Sequence, residues 1–167
     1  MRLVAISASL QESSTNSAFV EAVAFEAAER DDVTVEVWRE LGELPHFRAD
    51  RDGDDHVVSL RRAVGGADAV LLVTPEYAGG MPGALKNALD WLVGTGELYE
   101  KPLVVISVAP SAERGHNARR WVDEVAGYQG AFVRDSFTVA VTGPDPREHL
   151  PVVAASTLPR ILAVLSP

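Results

Sequence analysis

The chain has 167 residues, 47% of them hydrophobic and 23% charged, which is the size and composition of one folded domain, expected over residues 1–167. It contains no cysteine, which excludes a disulfide framework, an iron–sulfur cluster, a thiolate zinc site and a thiol nucleophile. The formal net charge of −9 argues against partners that need a basic surface, so we expect neither nucleic acid nor a membrane as a partner.

The amino-terminal segment Met1–Ile6 is apolar for too few residues to form the core of a signal peptide. No uninterrupted apolar run approaches the roughly 18 residues that a membrane-spanning helix needs. Together with the absence of cysteine, these features predict a cytoplasmic protein.

The first four predicted elements alternate between strand and helix. The first strand is a continuous apolar run, typical of a strand buried on both faces, whereas the second alternates apolar and polar residues, typical of a strand near an edge. Ser14 or Thr15 is placed to cap the first helix, and a long loop, residues 41–55, precedes the second. The four elements are predicted at Leu3–Ile6, Asn16–Arg30, Val33–Trp38 and Asp54–Val64.

Six further elements continue the alternation. The third helix opens with Pro82 and is followed by Gly94, the usual order of proline and glycine around a helix. Trp121, Val125 and Tyr128 predict the apolar side of the fourth helix. The elements are predicted at Ala69–Val73, Pro82–Val93, Leu103–Val108, Asn117–Tyr128, within Phe132–Val141, and at about Glu148–Leu165.

The complete pattern is a strict alternation of five strands and five helices, with a break expected in the fifth strand near Arg134–Asp135. Pro151 and Pro159 are expected to limit the last helix. Alternation with crossover helices predicts an α/β fold of three layers, a doubly wound five-stranded parallel sheet with strand order 2-1-3-4-5. In such a sheet the ligand lies at the carboxyl ends of strands 1 and 3, where the winding reverses.

The loop after the first strand, Ser7–Asn16, is rich in hydroxyl and amide side chains. Six of its ten residues are Ser, Thr or Asn, and it leads into a helix N-terminus. Hydroxyls, free backbone amides and the positive end of the helix dipole together predict an anion site suited to phosphate. A loop that merely caps the helix is the alternative, and the glycines of a dinucleotide or nucleotide-triphosphate loop are missing.

The loop after the third strand begins the segment Thr74–Trp91. Pro75 stiffens the exit from the strand, and the glycines that follow allow the backbone to approach a ligand closely. Tyr77 could border a flat ring or simply pack. Farther along, Trp91 is interpreted as a core or interface residue, and Lys86, Asn87 and Asp90 as surface residues or supports of the loop.

The loop after the fourth strand, Ala109–Asn117, again offers small residues and a glycine, Gly115, beside the predicted crevice. His116 is interpreted as an exposed residue at a helix start rather than as a general base. The four histidines of the chain are scattered without the spacing of metal ligands, so no metal site is predicted.

Taken together, the three loops resemble those of the NADPH-dependent FMN reductase family, flavodoxin-like proteins that include quinone, azo and chromate reductases. Its most specific signature is Thr-Pro-Glu-Tyr-x-x-Gly-x-Pro-Gly-x-Leu-Lys-Asn-Ala-x-Asp-Trp, which Thr74–Trp91 matches. The first loop matches Ser-x-x-x-x-Ser-x-Asn through Ser9, Ser14 and Asn16. The third loop matches loosely, and the order of elements extends the resemblance over nearly the whole chain.

The resemblance implies an FMN-dependent enzyme that takes hydride from NADPH or NADH onto flavin N5 and passes it to a small acceptor, with no catalytic acid or base. It also implies a homodimer or homotetramer, with the helix after the signature at or near the interface. The preference between NADPH and NADH stays open, and Arg114, Arg119 or Arg120 could meet the 2′-phosphate of NADPH. The implied cofactor-binding residues are Ser9, Gln11, Ser14, Thr15 and Asn16 around the phosphate, Pro75, Glu76, Tyr77, Ala78 and Gly79 along the ring and ribityl chain, and Gly115 at the far ring edge.

Two residues depart from the family pattern. The position of Gln11 is commonly Arg, which pairs with the phosphate, and here Glu12 adds a negative charge beside it. The position of Ala78 is often Asn. Both changes indicate weak or exchangeable flavin, so two alternatives stay open: a flavin-binding electron carrier or redox sensor without substantial nicotinamide turnover, and a family member that has lost tight flavin binding.

Overall fold

A computed structural model describes residues 1–166, so only Pro167 of the predicted domain lies outside the described residues. Two short 3₁₀ turns, Leu41–Glu43 and Pro146–His149, accompany the regular elements. The strands are β1 Arg2–Ser7, β2 Thr34–Trp38, β3 Ala69–Val73, β4 Pro102–Ala109 and β5 Phe132–Ala140. The helices are α1 Thr15–Ala28, α2 Asp55–Gly66, α3 Gly83–Val93, α4 His116–Tyr128 and α5 Leu150–Leu165.

The five strands form one parallel sheet in the order β2-β1-β3-β4-β5, which confirms the predicted topology and places β2 at an edge. β1 and β3 are paired along their whole length, so Ser7 lies beside Val73. Val73 in turn pairs with Ile106 of β4. The loops that follow β1, β3 and β4 therefore leave the same edge of the sheet side by side, which is where a doubly wound sheet binds its ligand.

Helices cover both faces of the sheet and bury its apolar strands. One apolar cluster joins α1 and α5 to one face, and the other joins α2, α3 and α4 to the opposite face. β3 is buried at every position, as its uninterrupted apolar sequence predicts. Trp91 of α3 is only 1% exposed and belongs to the second cluster, which confirms its interpretation as a core residue.

The predicted apolar side of α4 is wrong. Its buried residues are Ala118, Arg119, Val122 and Ala126, whereas Trp121 is 45% exposed and Tyr128 is 94% exposed. Small residues face inward because α4 packs closely against β4 and β5. The aromatic side chains, which dominate a hydrophobicity pattern, point away from the sheet instead.

Proline and glycine positions account for three smaller differences. Pro82 is the N-cap of α3 rather than its first residue. Gly94 keeps a right-handed conformation, and after α3 the first positive φ is at Gly96. α5 continues through Pro159, although the first proline, Pro151, does sit in its opening turn.

The expected irregularity in β5 is confirmed, because Arg134 is an extra residue between the partners of Leu103 and Val104.

The segment Pro146–Leu165 has 20 residues and a mean hydropathy of 1.2, so it is long and apolar enough to cross a membrane by composition. Arg147, Glu148 and Arg160 interrupt it, so it is not an uninterrupted apolar run. In the fold, Ala154, Leu158 and Ile161 are buried in the cluster that α5 forms with α1 and the sheet. The packing is that of a core helix.

Candidate ligand-binding site

The loop after β1 leaves several polar groups free at the start of α1. Ser14 is the N-cap, and its side chain accepts a hydrogen bond from the backbone N–H of Ser17 at 3.3 Å. Gln11 is folded onto its own loop, since its Nε2 donates to Ser13 Oγ at 3.0 Å. Within residues 1–166, no partner accepts from the backbone amides of Glu12, Ser13, Thr15 and Asn16. Free amides at a helix N-terminus form an anion site, which supports the phosphate interpretation over a simple cap.

The Asn16 side chain makes structural hydrogen bonds to β4. Its Oδ1 accepts from Val108 N at 3.0 Å, and its Nδ2 donates to Val108 O at 3.5 Å. Asn16 is only 7% exposed. It therefore fastens the first turn of α1 to the end of β4, and its backbone amide is the group that remains for a ligand.

The loop after β3 folds into a two-residue hairpin. Tyr77 and Gly80 exchange two backbone hydrogen bonds of 3.0 Å each, and both intervening residues have positive φ, 49° at Ala78 and 75° at Gly79. This is the geometry of a type I′ turn, whose first position favours Asn. The Tyr77 ring is 51% exposed, and its hydroxyl lies 3.4 Å from Ser9 Oγ, so Tyr77 borders the crevice rather than packing in the core.

Glu76 reaches from this loop to the first turn of α4. Its Oε2 accepts from the backbone amides of Asn117 at 3.0 Å and Ala118 at 3.3 Å, and its Oε1 accepts from the Asn117 side chain at 3.4 Å. Partial burial alone would raise the pKa of the Glu76 carboxyl, but the hydrogen bonds from Ala118 and Asn117 outweigh it and lower that pKa. The carboxylate is thus held ionised at the positive end of a helix.

Gly115 is required where β4 approaches α4. It precedes α4 with φ 82°, and a Cβ there would lie 2.4 Å from Ser107 Cβ and 2.5 Å from Ser107 Oγ. Between this point and the β3 loop lies an open crevice of about 300 Å³, lined among others by Pro75, Arg114 and Gly115. A second crevice of about 330 Å³ lies on the other side of the β1 loop and reaches Trp38.

The comparison with protein families decides how this arrangement is classified. A family model described as NADPH-dependent FMN reductase matches residues 1–144. The chain belongs to that family.

Similar proteins with assigned activities match over part of their length. An NADPH azoreductase from Bacillus sp. is 40% identical over 80 residues, which are 47% of this chain and 44% of that protein. A quinone reductase from Pseudomonas putida is 37% identical over 91 residues, 50% of this chain and 48% of that protein. The chain thus spans about half the length of the curated relatives it matches.

Solved structures extend the likeness over the whole fold. The Paracoccus denitrificans protein FerB, described as a flavoenzyme NAD(P)H:(acceptor) oxidoreductase, has a TM-score of 0.75 at 22% identity, covering 98% of this chain and 96% of that one. General stress protein 14 from Treponema denticola, solved in complex with FMN, has a TM-score of 0.67 at 18% identity, covering 98% of each chain. At these identities the likeness concerns the flavodoxin-like fold alone.

In this member of the family, the three arginines considered for the 2′-phosphate of NADPH lie in different surroundings. Arg119 is 9% exposed and donates to Thr138 Oγ1 and to the Arg114 carbonyl, so its guanidinium is part of the scaffold. Arg120 pairs with Glu124 on the outer side of α4. Arg114 alone of the three lines the crevice.

Two side chains that the sequence analysis did not assign also shape the site. Asn117 binds Glu76, and the Trp121 ring covers Gly80, where a Cβ would meet three ring atoms at 3.0–3.1 Å. Both contacts join residues that are about 40 positions apart, so no local pattern could have indicated them. His116 is exposed and bonds through Nδ1 to Glu113 O, in agreement with its interpretation as a helix-start residue.

The residues after the hairpin act as supports. Asn87 accepts from Phe47 N at 2.7 Å and donates to Pro45 O at 2.9 Å, and Trp91 Nε1 also donates to Pro45 O. They anchor the loop between β2 and α2. Lys86 and Asp90 form an ion pair one turn apart on the same helix, as surface residues. Asn87 supports a loop, but it is the one between β2 and α2 and not the loop after β3.

Proposed function

We propose that the protein is an FMN-dependent oxidoreductase that uses NADPH or NADH to reduce a small acceptor such as a quinone or free flavin. The observation that carries this proposal is the pairing of two different loops at the ends of adjacent strands. One offers free amides and hydroxyls, as a phosphate needs, and the other offers an exposed aromatic ring on a braced hairpin. A phosphorylated, ring-bearing cofactor has the two ends that these loops fit.

The residues fit FMN in one orientation. Its phosphate would lie against Ser9, Ser14 and the free amides of Thr15 and Asn16, because an anion is stabilised at the open N-terminus of α1. Its ring would lie against the β3 loop, residues 75–79, with Gly115 at the far edge. The N-terminus of α4 already holds the Glu76 carboxylate and would repel a second anion.

When bound, the flavin supplies the redox chemistry, accepting hydride at N5 from the nicotinamide and passing it to the acceptor. The role of the chain is to bind and orient the flavin. The hairpin fixes the Tyr77 ring, and Arg114 puts one positive charge at the crevice. No side chain is required to move a proton, and no residue is assigned a catalytic role.

The flavin is proposed to be exchangeable. Gln11 offers no charge to a phosphate, and Glu12 and Glu43 line the neighbouring crevice. Loss of one charge-assisted hydrogen bond weakens binding by roughly tenfold to a hundredfold. Weak flavin binding would suit an enzyme that treats flavin as a substrate as well as a cofactor.

We further propose that the chain acts as one cytoplasmic domain in a homodimer or homotetramer. Trp121 and Tyr128 are exposed on the outer side of α4, and Val93 of α3 is 58% exposed on the same face of the sheet. Exposed aromatic residues in a row are typical of an interface. Light scattering of the purified protein measures the oligomeric state, and Tyr128→Ser should shift it toward the monomer.

The activity is tested by adding FMN to flavin-free protein and following nicotinamide oxidation. We expect visible flavin absorbance that stays with the protein, and oxidation of NADPH or NADH that depends on both FMN and a quinone. Bound flavin with slow nicotinamide oxidation would instead favour an electron carrier, a class to which the acidic surface is suited. If the protein binds no FMN at high micromolar concentration, both the oxidoreductase and the electron-carrier hypotheses are contradicted.

A further inference from the structure

Two long helices begin at the crevice, and their N-termini are in opposite states. At α1 the amides of Thr15 and Asn16 have no partner within residues 1–166. At α4 the amides of Asn117 and Ala118 both donate to one oxygen of Glu76. The difference does not arise from local sequence, because the carboxylate at α4 comes from another loop, 41 residues earlier.

The contact at α4 joins two walls of the crevice. Glu76 lies in the loop after β3, between Pro75 and the hairpin that begins at Tyr77. Its carboxylate ends on α4, directly after Gly115, the residue pressed against Ser107 of β4. The hairpin is thereby attached to the helix, and Trp121 covers Gly80 at its other end.

Charge gives the same contact a second consequence. A helix N-terminus carries about half a positive charge, which a carboxylate neutralises when it accepts from the first-turn amides. The charge of the buried Arg119 interacts with the Glu76 carboxylate and adds to this attraction. With the carboxylate in place, the Asn117 and Ala118 amides are occupied and the positive end of the helix is offset by a negative charge, which disfavours a phosphate there.

We propose that Glu76 is a positioning residue that occupies the N-terminus of α4, fixes the β3 hairpin to that helix, and so directs the anionic end of the ligand to α1. The role in ligand orientation rests on the proposed function, whereas the closing of α4 to anions does not. Glu76 would then contribute to flavin binding without contributing a side-chain bond to the flavin.

The test compares Glu76→Ala and Glu76→Gln with Glu113→Gln in the flavin-free protein. Glu113 lies in the same β4–α4 loop, so its substitution removes the same charge without touching the Asn117 or Ala118 amides. Backbone NMR resonances of these two amides are followed during a titration with inorganic phosphate, and their hydrogen-exchange rates are measured. Circular dichroism establishes that each variant is folded.

In Glu76→Ala we expect exchange at the Asn117 and Ala118 amides at least about tenfold faster, and phosphate-induced shifts at the same amides at millimolar phosphate. Glu76→Gln, which keeps an oxygen acceptor, should show slower exchange than Glu76→Ala. The wild type and Glu113→Gln should show shifts only at Thr15 and Asn16. If phosphate fails to shift the Asn117 and Ala118 amides in folded Glu76→Ala, Glu76 does not close this terminus.

Flavin affinity completes the test. Quenching of FMN fluorescence should give a dissociation constant roughly tenfold to a hundredfold higher for Glu76→Ala and within about twofold of wild type for Glu113→Gln. An unchanged affinity for FMN in folded Glu76→Ala would overturn the positioning role. If the wild type itself binds no FMN, the proposed function fails, while the phosphate titration still decides whether Glu76 occupies α4.

Discussion

The loops after β1 and β3 leave neighbouring strands, yet they are held in different ways. The β3 loop is braced by its own hairpin bonds, by Glu76 on α4 and by the Trp121 ring over Gly80. The β1 loop is held by contacts among its own side chains and by the bonds of Asn16 to Val108, and within residues 1–166 four of its backbone amides have no partner. Rigid placement suits a flat ring, whereas free donors suit a phosphate.

This difference explains why a well-formed site can still bind flavin with low affinity. Both departures from the family pattern are exposed loop positions, and neither breaks a contact that holds a loop together. Gln11 lies where a charged contact to the phosphate would be made, and Ala78 occupies a turn that forms despite its side chain. Ligand affinity can therefore change while the scaffold is kept.

The largest effect is expected at Gly115, on the braced side. Gly115→Ala forces a side chain into a left-handed conformation and against Ser107, which should lower the free energy of unfolding by about 2–4 kcal/mol. Thermal unfolding should show a loss of roughly 5–15 °C. Gly83→Ala is the control, because a Cβ there meets nothing within 4 Å, and it should leave the melting temperature nearly unchanged or slightly higher.

Restoring charge to the open side should produce the next largest effect. Gln11→Arg gives the β1 loop a cation that can pair with phosphate, and FMN should bind roughly tenfold to a hundredfold more tightly. Fluorescence quenching measures the affinity, and the gain should shrink as salt is added. Gln11→Met removes the amide without adding charge. Equal affinities for the two variants would mean that the phosphate does not reach this loop.

A smaller effect is expected at the turn of the hairpin. Ala78 pays the steric cost of positive φ, which Asn tolerates, so Ala78→Asn should stabilise the protein by about 0.5–1 kcal/mol. Urea unfolding of the flavin-free protein measures this directly. Ala112→Asn, at an exposed position that does not have positive φ, should bring no gain, and a gain of equal size there would argue against turn strain.

The smallest effect concerns pH and the loop after β2. The hydrogen bond to Glu40 raises the pKa of His56, while hydrogen bonds from His56 and Ser59 lower the pKa of Glu40. Because the pKa of His56 is higher in the folded state, its contribution is fully present below the unfolded value of 6.5 and is lost as the pH rises through the folded value.

His56→Gln should therefore remove a small part of the stability seen at about pH 5.5 and leave that at about pH 8.5 nearly unchanged. Urea midpoints of wild type and variant at the two pH values provide the comparison. A destabilisation of the same size at both would show that protonation of His56 adds nothing.

Most of the fold could be predicted from the sequence because strong local patterns specified it. The apolar runs of β1, β3 and β4 and the alternation in β2 indicated the sheet and its edge, and the bulge in β5 fell at the expected place. The inward side of α4 was predicted wrongly, because its buried face is formed by small residues and one arginine. Hydrophobicity marks large residues, and here Trp121 and Tyr128 lie outside.

The site was predictable as a set of loops but not as a network of contacts. Topology located the three loops, the family resemblance named Ser9, Tyr77 and Gly115 in them, and the structure brings all three to the crevice edge of the sheet. The sequence could not indicate that Asn16 binds Val108 or that Glu76 binds the first turn of α4, since both contacts depend on the tertiary approach of distant segments. The sequence likewise carried no sign that Arg119 is buried.

The most direct test of the account compares FMN with riboflavin, which lacks the phosphate, in titrations of the flavin-free protein followed by backbone NMR. We expect both ligands to shift the resonances of Tyr77 and Gly79, and FMN alone to shift the amides of Thr15 and Asn16. FMN that shifts the amides of Asn117 and Ala118 instead, or that shifts neither loop at high micromolar concentration, would contradict a flavin site with its ring at β3 and its phosphate at α1.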